Sequence, residues 1–218
     1  MRLGKRVFFV TAAISLVVFS GCLINPQVVN LDSQGTTIVC FGDSITYGYG
    51  VTSNESYPAQ LEKWVSLPVI NAGLSGETTS DAIKRLETDI LTRHPVLVII
   101  EFGGNDLIAR IPVEKTTANM EEMIKRIQQA GAMVAIADYS SPFILDKYHE
   151  VFRSLSKKYK TIFIPRLMSG IIDNPSLRSD YIHPNAKGYQ LIAHRVARAI
   201  IPYLTRNAFL RKKANNKS

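Results

Sequence analysis

The sequence predicts an α/β fold in which helices cover both faces of a sheet of about five parallel strands. Short apolar runs rich in β-branched residues recur along the chain, each bounded by turn residues. They are apolar on both sides, as is typical of parallel strands buried on each face. Helical patterns alternate with them, which favours a layered sandwich. The predicted strands are residues 37–41, 68–71, 96–102, 132–137 and 161–165.

Three helical patterns follow the second, third and fifth of these strands. The first and the last begin at residues suited to an N-terminal cap, and all three place apolar residues three or four positions apart. The last is the clearest, because Asn185 can cap a helix with a single apolar stripe. The apolar positions are Ile83, Leu86 and Ile90, then Met120, Met123, Ile124 and Ile127, then Tyr189, Ile192, Ala193, Val196 and Ile200.

The length and charge of the chain favour one folded domain. At 218 residues it can bury a sizeable core. We predict a domain over 36–205, preceded by a linker over 22–35 and followed by a basic, disordered tail over 206–218 that could also contact anionic lipid headgroups. Three bases lie in residues 1–21 and five in the tail, which leaves 18 bases against 18 acids in the body. A body without net charge predicts no nucleic-acid partner.

The first 21 residues are typical of an export signal. Arg2, Lys5 and Arg6 precede the uncharged apolar run 7–19. Cys22 follows Phe19-Ser20-Gly21, which resembles the lipobox of bacterial lipoproteins, although Phe19 stands where that group prefers an aliphatic residue. The resemblance implies cleavage before Cys22 and a lipid on its sulfur.

Two other interpretations of this segment stay open. Residues 7–24 are uncharged and, at roughly 18 residues, about long enough to begin to span a bilayer as an uncleaved anchor. Ordinary secretion is the other. We expect an exported protein that faces the periplasm or the cell exterior and is held at a membrane through Cys22. If Cys22 carries a lipid, the remaining cysteine, Cys40, lies alone in a predicted buried strand, so the chain can build neither a disulfide framework nor a cysteine metal site.

Polar segments follow several of the predicted strands at their carboxyl ends, where parallel sheets form a ligand crevice. These segments are Gly42-Asp43-Ser44, Asn71-Ala72-Gly73, Gly103-Gly104-Asn105-Asp106 and the stretch 180–183. A serine hydroxyl needs a base to remove its proton and a third group to orient that base. Pro184 favours an extended backbone at His183, so Asp180 can fold back onto Nδ1 and leave Nε2 free for Ser44.

An acyl transfer also needs donors for the oxyanion of the tetrahedral intermediate. Three candidates are the backbone N–H of Ser44, the backbone N–H of Gly73 and the side-chain amide of Asn105. Asn105 could equally be a turn residue, since it follows two glycines. For His94, His149 and His194 we expect surface positions or satisfied core positions.

The polar segments together resemble the four sequence blocks of the SGNH or GDSL-type hydrolases, in order and spacing, over residues 36 to about 204. The chain is most similar to the bacterial periplasmic thioesterase, lysophospholipase and arylesterase type, through Glu55-Ser56-Tyr57-Pro58 and Asn71-Ala72-Gly73-Leu74-Ser75-Gly76. The resemblance implies a flavodoxin-like three-layer α/β/α sandwich that uses no metal or other cofactor. It implies Ser44 as nucleophile, His183 as base and Asp180 as its orienting group, with an oxyanion hole of Ser44, Gly73 and Asn105.

Two departures from that family pattern concern the nucleophile turn and the substrate. Ile45 replaces a leucine, a change that conserves volume. The loop 107–112 differs from the family's acyl-binding loop, which leaves the preferred chain length open. We expect Leu107, Ile108 and Ile111 to line an apolar slot, while residues 143–145 either form its opposing wall or pack in the core.

These observations predict a serine esterase that hydrolyses carboxylic esters or thioesters of the lysophospholipid, acyl-thioester or aryl-ester class. The alternative enzyme is a carbohydrate O-deacetylase acting on cell-wall or exported polysaccharide. We find few aromatic residues suited to sugar stacking, because Trp64 lies in a helical pattern and is expected in the core. A silent binding module would gain nothing from keeping nucleophile, base and oxyanion donors together, and a flavin-binding fold lacks the hydroxyl residues that its phosphate loop needs.

Overall fold

Five parallel strands form the centre of the structure, a computed structural model that describes residues 27–140 and 146–216. The strands are β1 (Thr37–Gly42), β2 (Val69–Gly73), β3 (Pro95–Glu101), β4 (Met133–Ala137) and β5 (Ile162–Ile164). Their order across the sheet is β2-β1-β3-β4-β5. All four pairings are parallel, and Cys40 lies opposite Asn71 on one side and Ile99 on the other. The predicted sandwich is confirmed.

Helices cover both faces of this sheet. They are α1 (Ser44–Tyr47), α2 (Tyr57–Glu62), α3 (Thr79–Arg85), α4 (Gly104–Ile108), α5 (Val113–Gln129), α6 (Asp146–Tyr159) and α7 (Ala186–Asn215). One face packs against α2 and α7, with Tyr57 and Tyr189 in its core. The other packs against α3, α5 and α6, with Met120 and Phe152 in its core. Within the described residues, no helix is both long enough and apolar enough to cross a membrane.

The last helix differs from the expected tail. We predicted disorder over 206–218, but α7 continues to Asn215. Asn207 is buried, and its amide donates to the carbonyls of Leu31 at 3.0 Å and Ser33 at 2.9 Å. Arg211 donates to the carbonyl of Gly35 at 3.0 Å. These tertiary contacts stabilise a segment whose composition alone suggested a solvated terminus.

The described part of the predicted linker, residues 27–35, lies along the amino edge of the sheet, the edge at which the strands begin. Val28 is buried, and Val29 N donates to the carbonyl of Lys160, just before β5. The amide of Asn30 donates to the carbonyls of Gln128 and Ala132, just before β4. The described chain therefore begins at the edge opposite the carboxyl ends of the strands. Cys22, like residues 143–145, lies outside the described residues.

Candidate active site

Ser44 lies where β1 ends and α1 begins. The side chain of Asp43 caps this short helix, since its Oδ1 accepts a hydrogen bond from Ile45 N at 3.1 Å. Gly42 is required immediately before the turn, because a Cβ there would collide with Thr46 Oγ1 and with the carbonyl of Glu101. The strand, the cap and the helix together present the Ser44 hydroxyl at the carboxyl edge of the sheet.

His183 and Asp180 reach Ser44 from a single turn before α7. His183 Nε2 lies 3.1 Å from Ser44 Oγ, and His183 Nδ1 lies 2.7 Å from Asp180 Oδ2. The side chain of His183 is 12% exposed. The ring of Tyr49 lies against the imidazole, with 4.4 Å between the ring centroids. Residues 139 positions apart in the sequence are thus within hydrogen-bond distance, in the relation that the sequence predicted.

The carboxyl group of Asp180 is held as a carboxylate. Partial burial opposes its ionisation, but hydrogen bonds from Ile182 N and from the ring and backbone N–H of His183 outweigh burial and lower its pKa to about 2. An ionised carboxylate at Nδ1 favours the tautomer in which Nε2 is free to accept a proton. The arrangement can therefore move a proton from Ser44 Oγ to His183.

The three expected oxyanion donors lie around the same turn, but two of them already donate hydrogen bonds to other groups of the protein. Ser44 N is the first amide of α1 and has no partner inside that helix. Gly73 N donates to Asn71 Oδ1 at 3.0 Å. The amide of Asn105 donates to Asp43 Oδ2 at 3.1 Å and to the carbonyl of Glu77 at 3.0 Å. Gly73 and Asn105 would have to share or exchange these partners to bind an oxyanion.

A pair of buried carboxyl groups lies directly beneath Ser44, and the sequence analysis did not identify it. Glu101 is completely buried, and its Oε2 accepts from Thr46 Oγ1 at 2.9 Å. Burial, and then the neighbouring charge of Asp43, raises the pKa of Glu101 well above its usual value. Burial raises the pKa of Asp43 to about 6.

The hydrogen-bond partners of Glu101 agree with a raised pKa for this carboxyl group. As a carboxylate, its second oxygen, Oε1, would be buried without a partner. As a carboxylic acid, Glu101 would have an O–H group to donate to the neighbouring Asp43. The sequence feature that could have indicated this buried carboxyl group is a single acid, Glu101, at the end of an otherwise apolar strand.

A cavity of about 210 Å³ opens beside Ser44 and His183. Leu107 and Ile108 line it as expected, whereas Ile111 is not among the lining residues in the described part of the chain. The remaining apolar walls come partly from the predicted motifs, through Ile45 and Ile182, and partly from segments that the sequence analysis did not single out. They are Ile45, Tyr139, Met168, Ile172 and Ile182. A mostly apolar cavity that ends at a nucleophile is suited to an acyl chain.

Several aromatic rings are exposed, contrary to our expectation. Tyr49, which packs on His183, is 46% exposed, and Tyr181, next to Asp180, is 88% exposed. Trp64 was expected in the core, but it is 43% exposed and packs edge-on against His194. Its helix, α2, ends at Glu62, so the helical pattern did not extend as far as position 64.

A second carboxylate and imidazole pair braces the loop after β4. Asp138 is fully buried and lies 2.6 Å from His149 Nδ1. The same carboxylate accepts from Ser140 Oγ at 2.9 Å and from Arg166 N at 3.1 Å. The hydroxyl of Ser140 thus points to the carboxylate rather than to the imidazole. This cluster fixes the segment that carries Tyr139 into the cavity, and His149 is satisfied, as expected.

The fold and this site define a serine hydrolase, in which an alcohol, an imidazole and a carboxylate follow one another at the carboxyl edge of a parallel sheet. The chain belongs to the GDSL-like lipase/acylhydrolase family, whose model matches residues 40–191. It is an enzyme that hydrolyses ester bonds.

Named relatives support this assignment. The chain is 29% identical over 179 residues to an arylesterase of Vibrio mimicus, covering 77% of this chain and 89% of the relative. It is 27% identical over 180 residues to thioesterase 1/protease 1/lysophospholipase L1 of Escherichia coli (strain K12), covering 79% and 86%. The crystal structure of the psychrotrophic esterase EstA from Pseudoalteromonas sp. is similar with a TM-score of 0.70 and 28% identity, covering 78% of this chain and 99% of that one.

Proposed function

We propose that the protein hydrolyses carboxylic esters or thioesters with a small acyl group, through an acyl-enzyme on Ser44. Ser44 Oγ attacks the carbonyl carbon while His183 Nε2 takes its proton. Asp180 holds the imidazole and stabilises its protonated form. His183 then protonates the leaving oxygen or sulfur, and a water molecule repeats the two steps on the acyl-enzyme. The observation that carries the proposal is the 3.1 Å contact between Ser44 Oγ and His183 Nε2.

The tetrahedral intermediates would be stabilised by N–H groups of Ser44, Gly73 and Asn105. For this, Asn71 has to release the N–H of Gly73, and Asn105 has to share an N–H that now faces Asp43 or Glu77. These exchanges are local side-chain rotations or bifurcated bonds, so they require no movement of the sheet.

The size of the cavity supports a small acyl group. Its volume of about 210 Å³ is below the roughly 300–1,000 Å³ of pockets that enclose drug-sized ligands. Leu107 and Ile108 lie at its rim and are exposed by 45% and 69%. A longer chain would have to extend past this rim into solvent. We therefore expect p-nitrophenyl esters of short acids to be better substrates than those of long-chain acids.

The second serine, histidine and aspartate cluster provides a matched control for this mechanism. Ser44→Ala and His183→Ala should each abolish hydrolysis of p-nitrophenyl butyrate and labelling by a fluorophosphonate probe, with unchanged circular dichroism. Ser140→Ala should keep both activities, because its hydroxyl faces Asp138 and not an imidazole nitrogen. Residual turnover by the Ser44→Ala protein would refute the proposal.

A carbohydrate O-deacetylase is the second candidate, and the exposed tyrosines favour it. Tyr49 and Tyr181 lie beside the two residues of the turn that contacts Ser44, where they could stack on sugar rings around an acetyl ester. Release of acetate from acetylated xylan, set against release of fatty acid from lysophosphatidylcholine, distinguishes the two substrate classes. Tyr181→Ala should raise KM for the glycan alone if sugar is the substrate.

For localisation, we propose export and attachment to a membrane through a lipid on Cys22. The support is the sequence: a basic start, the apolar run 7–19 and a cysteine after Ser20-Gly21. Labelling of cells with radioactive palmitate should mark the wild-type protein and the Cys40→Ala variant but not Cys22→Ala. Because Cys40 is buried in β1, it serves as the control cysteine. Label that persists in Cys22→Ala would exclude this attachment.

A further inference from the structure

The C-terminal end of α7 presents basic and aromatic side chains to solvent. We call Arg206, Phe209, Lys212 and Lys213 the helix tip. Phe209 is 55% exposed, and the guanidinium of Arg206 lies 5.2 Å from the centre of its ring. The two lysines are exposed in the last turn of the helix. An exposed aromatic ring flanked by bases is suited to the interface of an anionic lipid membrane.

The charge around the helix tip is strongly one-sided. The sequence contains no Asp or Glu after Asp180, so no acid of α7 offsets its bases. Lys157 and Lys160 are also exposed and lie at the same amino edge, just before β5. Asp32 is an exposed acid on this edge. The bases near the tip still outnumber it, and they complement a negatively charged surface.

The start of the described chain lies next to the helix tip. Asn207 and Arg211, on the inward side of α7, donate to carbonyls of residues 31, 33 and 35. Gln27 is five residues after Cys22. Five extended residues span at most about 17 Å. A lipid on Cys22 would therefore hold the amino edge of the sheet, and the tip with it, close to the bilayer.

Ser44 lies at the other edge of the sheet. Helix α7 begins after Asn185, beside His183, and ends at the tip. At 1.5 Å per residue, its axis from Asn185 to Lys212 is about 40 Å long. A membrane in contact with the tip would therefore be remote from the cavity, and the cavity would face away from it.

We propose that the helix tip docks on the anionic lipid surface that anchors the protein and turns the active site away from that membrane. This inference rests on the proposed attachment through the N-terminal segment. It extends that proposal by assigning a second contact and an orientation. It also favours substrates in the aqueous compartment or the cell wall over lipids of the anchoring bilayer.

Tryptophan fluorescence of the full chain tests the docking. Trp64 is the only tryptophan, so a Trp64→Phe background leaves one probe when Phe209→Trp or Ile108→Trp is added. Both probe positions are exposed, Phe209 at the tip and Ile108 at the carboxyl edge. Each variant is reconstituted into phosphatidylcholine vesicles with or without phosphatidylglycerol, and quenching by brominated lipid is measured.

We expect quenching of the probe at position 209 in vesicles that contain phosphatidylglycerol, with less quenching at high salt and in phosphatidylcholine alone. The probe at position 108 should not be quenched. Adding Lys212→Gln and Lys213→Gln should reduce quenching, since each base near an anionic surface changes the docking equilibrium roughly fivefold. The matched pair Lys115→Gln and Lys187→Gln removes the same charge at the carboxyl edge and should leave quenching unchanged.

Three results would overturn the docking: no quenching at position 209, equal quenching at position 108, or a chain that does not associate with the vesicles. Hydrolysis of p-nitrophenyl butyrate by the vesicles that carry the Phe209→Trp variant reports separately on the proposed function, because Ile108 lines the cavity and Phe209 does not. Active vesicles without quenching at position 209 reject the docking alone. Quenching in vesicles without esterase activity rejects the proposed hydrolysis alone.

Discussion

Glu101 and Asp43 are neighbouring buried carboxyl groups under the nucleophile turn, and burial together with the charge of Asp43 raises the pKa of Glu101 well above its usual value. Asp43 caps α1 and accepts from the amide of Asn105, so this pair connects the position of Ser44 to that of a proposed oxyanion donor. Glu101 is anchored in turn by Thr46. The pair therefore couples the protonation of the core to the geometry of the site.

The first prediction concerns stability against pH. A carboxyl whose pKa is raised in the folded state stabilises the protein fully below its unfolded pKa, and this contribution is lost as pH rises towards the folded pKa. For Glu101 the loss begins near its ordinary value of 4.5 and continues well above it. Glu101→Gln removes this titration and can still donate to Asp43. The difference in free energy of unfolding between the Glu101→Gln variant and the wild type should therefore shift in favour of the variant as pH rises, by up to about 1.4 kcal/mol per pH unit.

Urea denaturation across this pH range measures that difference. Glu114→Gln, at an exposed position of α5, is the control and should show a constant difference from wild type. A constant difference for Glu101→Gln as well would mean that Glu101 ionises normally in the folded protein. The interpretation of Glu101 as a neutral carboxylic acid in the folded protein would then be wrong.

The second prediction concerns Asp180→Asn. The amide can keep the contacts with Ile182 N and His183 N through its oxygen, but its NH₂ group then faces Nδ1 and favours the wrong imidazole tautomer. We expect kcat to fall about 10³- to 10⁴-fold with little change in KM. Steady-state kinetics on p-nitrophenyl butyrate check this, with the exposed Asp173→Asn as control. A decrease in kcat of less than tenfold would show that Asp180 does not orient His183 for catalysis.

The third prediction concerns Asn105→Ala. Loss of one oxyanion donor should lower kcat by about 10²- to 10³-fold while KM changes little. The substitution also removes the bond to the carbonyl of Glu77, so thermal unfolding is measured in parallel. The exposed Asn54→Ala serves as the control. An increase in KM at constant kcat would show that Asn105 binds the ground state instead.

The fourth prediction concerns the acyl pocket. Ile172→Phe adds volume to a wall of the cavity, whereas Ile111→Phe makes the same change at a half-buried neighbour of the rim that does not line it. Ile172→Phe should lower kcat/KM for butyrate and hexanoate esters relative to acetate. Ile111→Phe should leave the order of preference unchanged. If the two variants shift chain-length preference equally, the cavity is not the acyl site.

The sequence predicted the sheet well, because each strand is a short apolar run closed by turn residues. It also predicted the contact between His183 and Ser44, since strand ends converge at one edge and Pro184 ends the preceding structure. Glu101 was missed, because a single acid in a strand carries no periodic signal. The walls formed by Met168 and Ile172 were also missed, because core and cavity residues have the same composition.

The end of α7 shows a second reason why the sequence did not predict part of the fold. The bases after residue 205 predicted a solvated terminus, whereas burial of Asn207 against residues 31 and 33 makes the segment helical. That contact joins positions more than 170 residues apart. No local pattern could reveal it, because helix propensity and charge describe only neighbours along the chain.

Asp180 and His183 belong to one turn, while Ser44 is the first residue of α1, which follows β1 at the sheet edge. Warming that loosens the turn would carry the imidazole and its carboxylate away together, leaving their mutual bond intact and the alcohol without a base. Activity would then fade at temperatures where the sheet is still folded, and cooling would restore it. If the turn loosens first, the thermal limit of catalysis lies below the melting point of the domain.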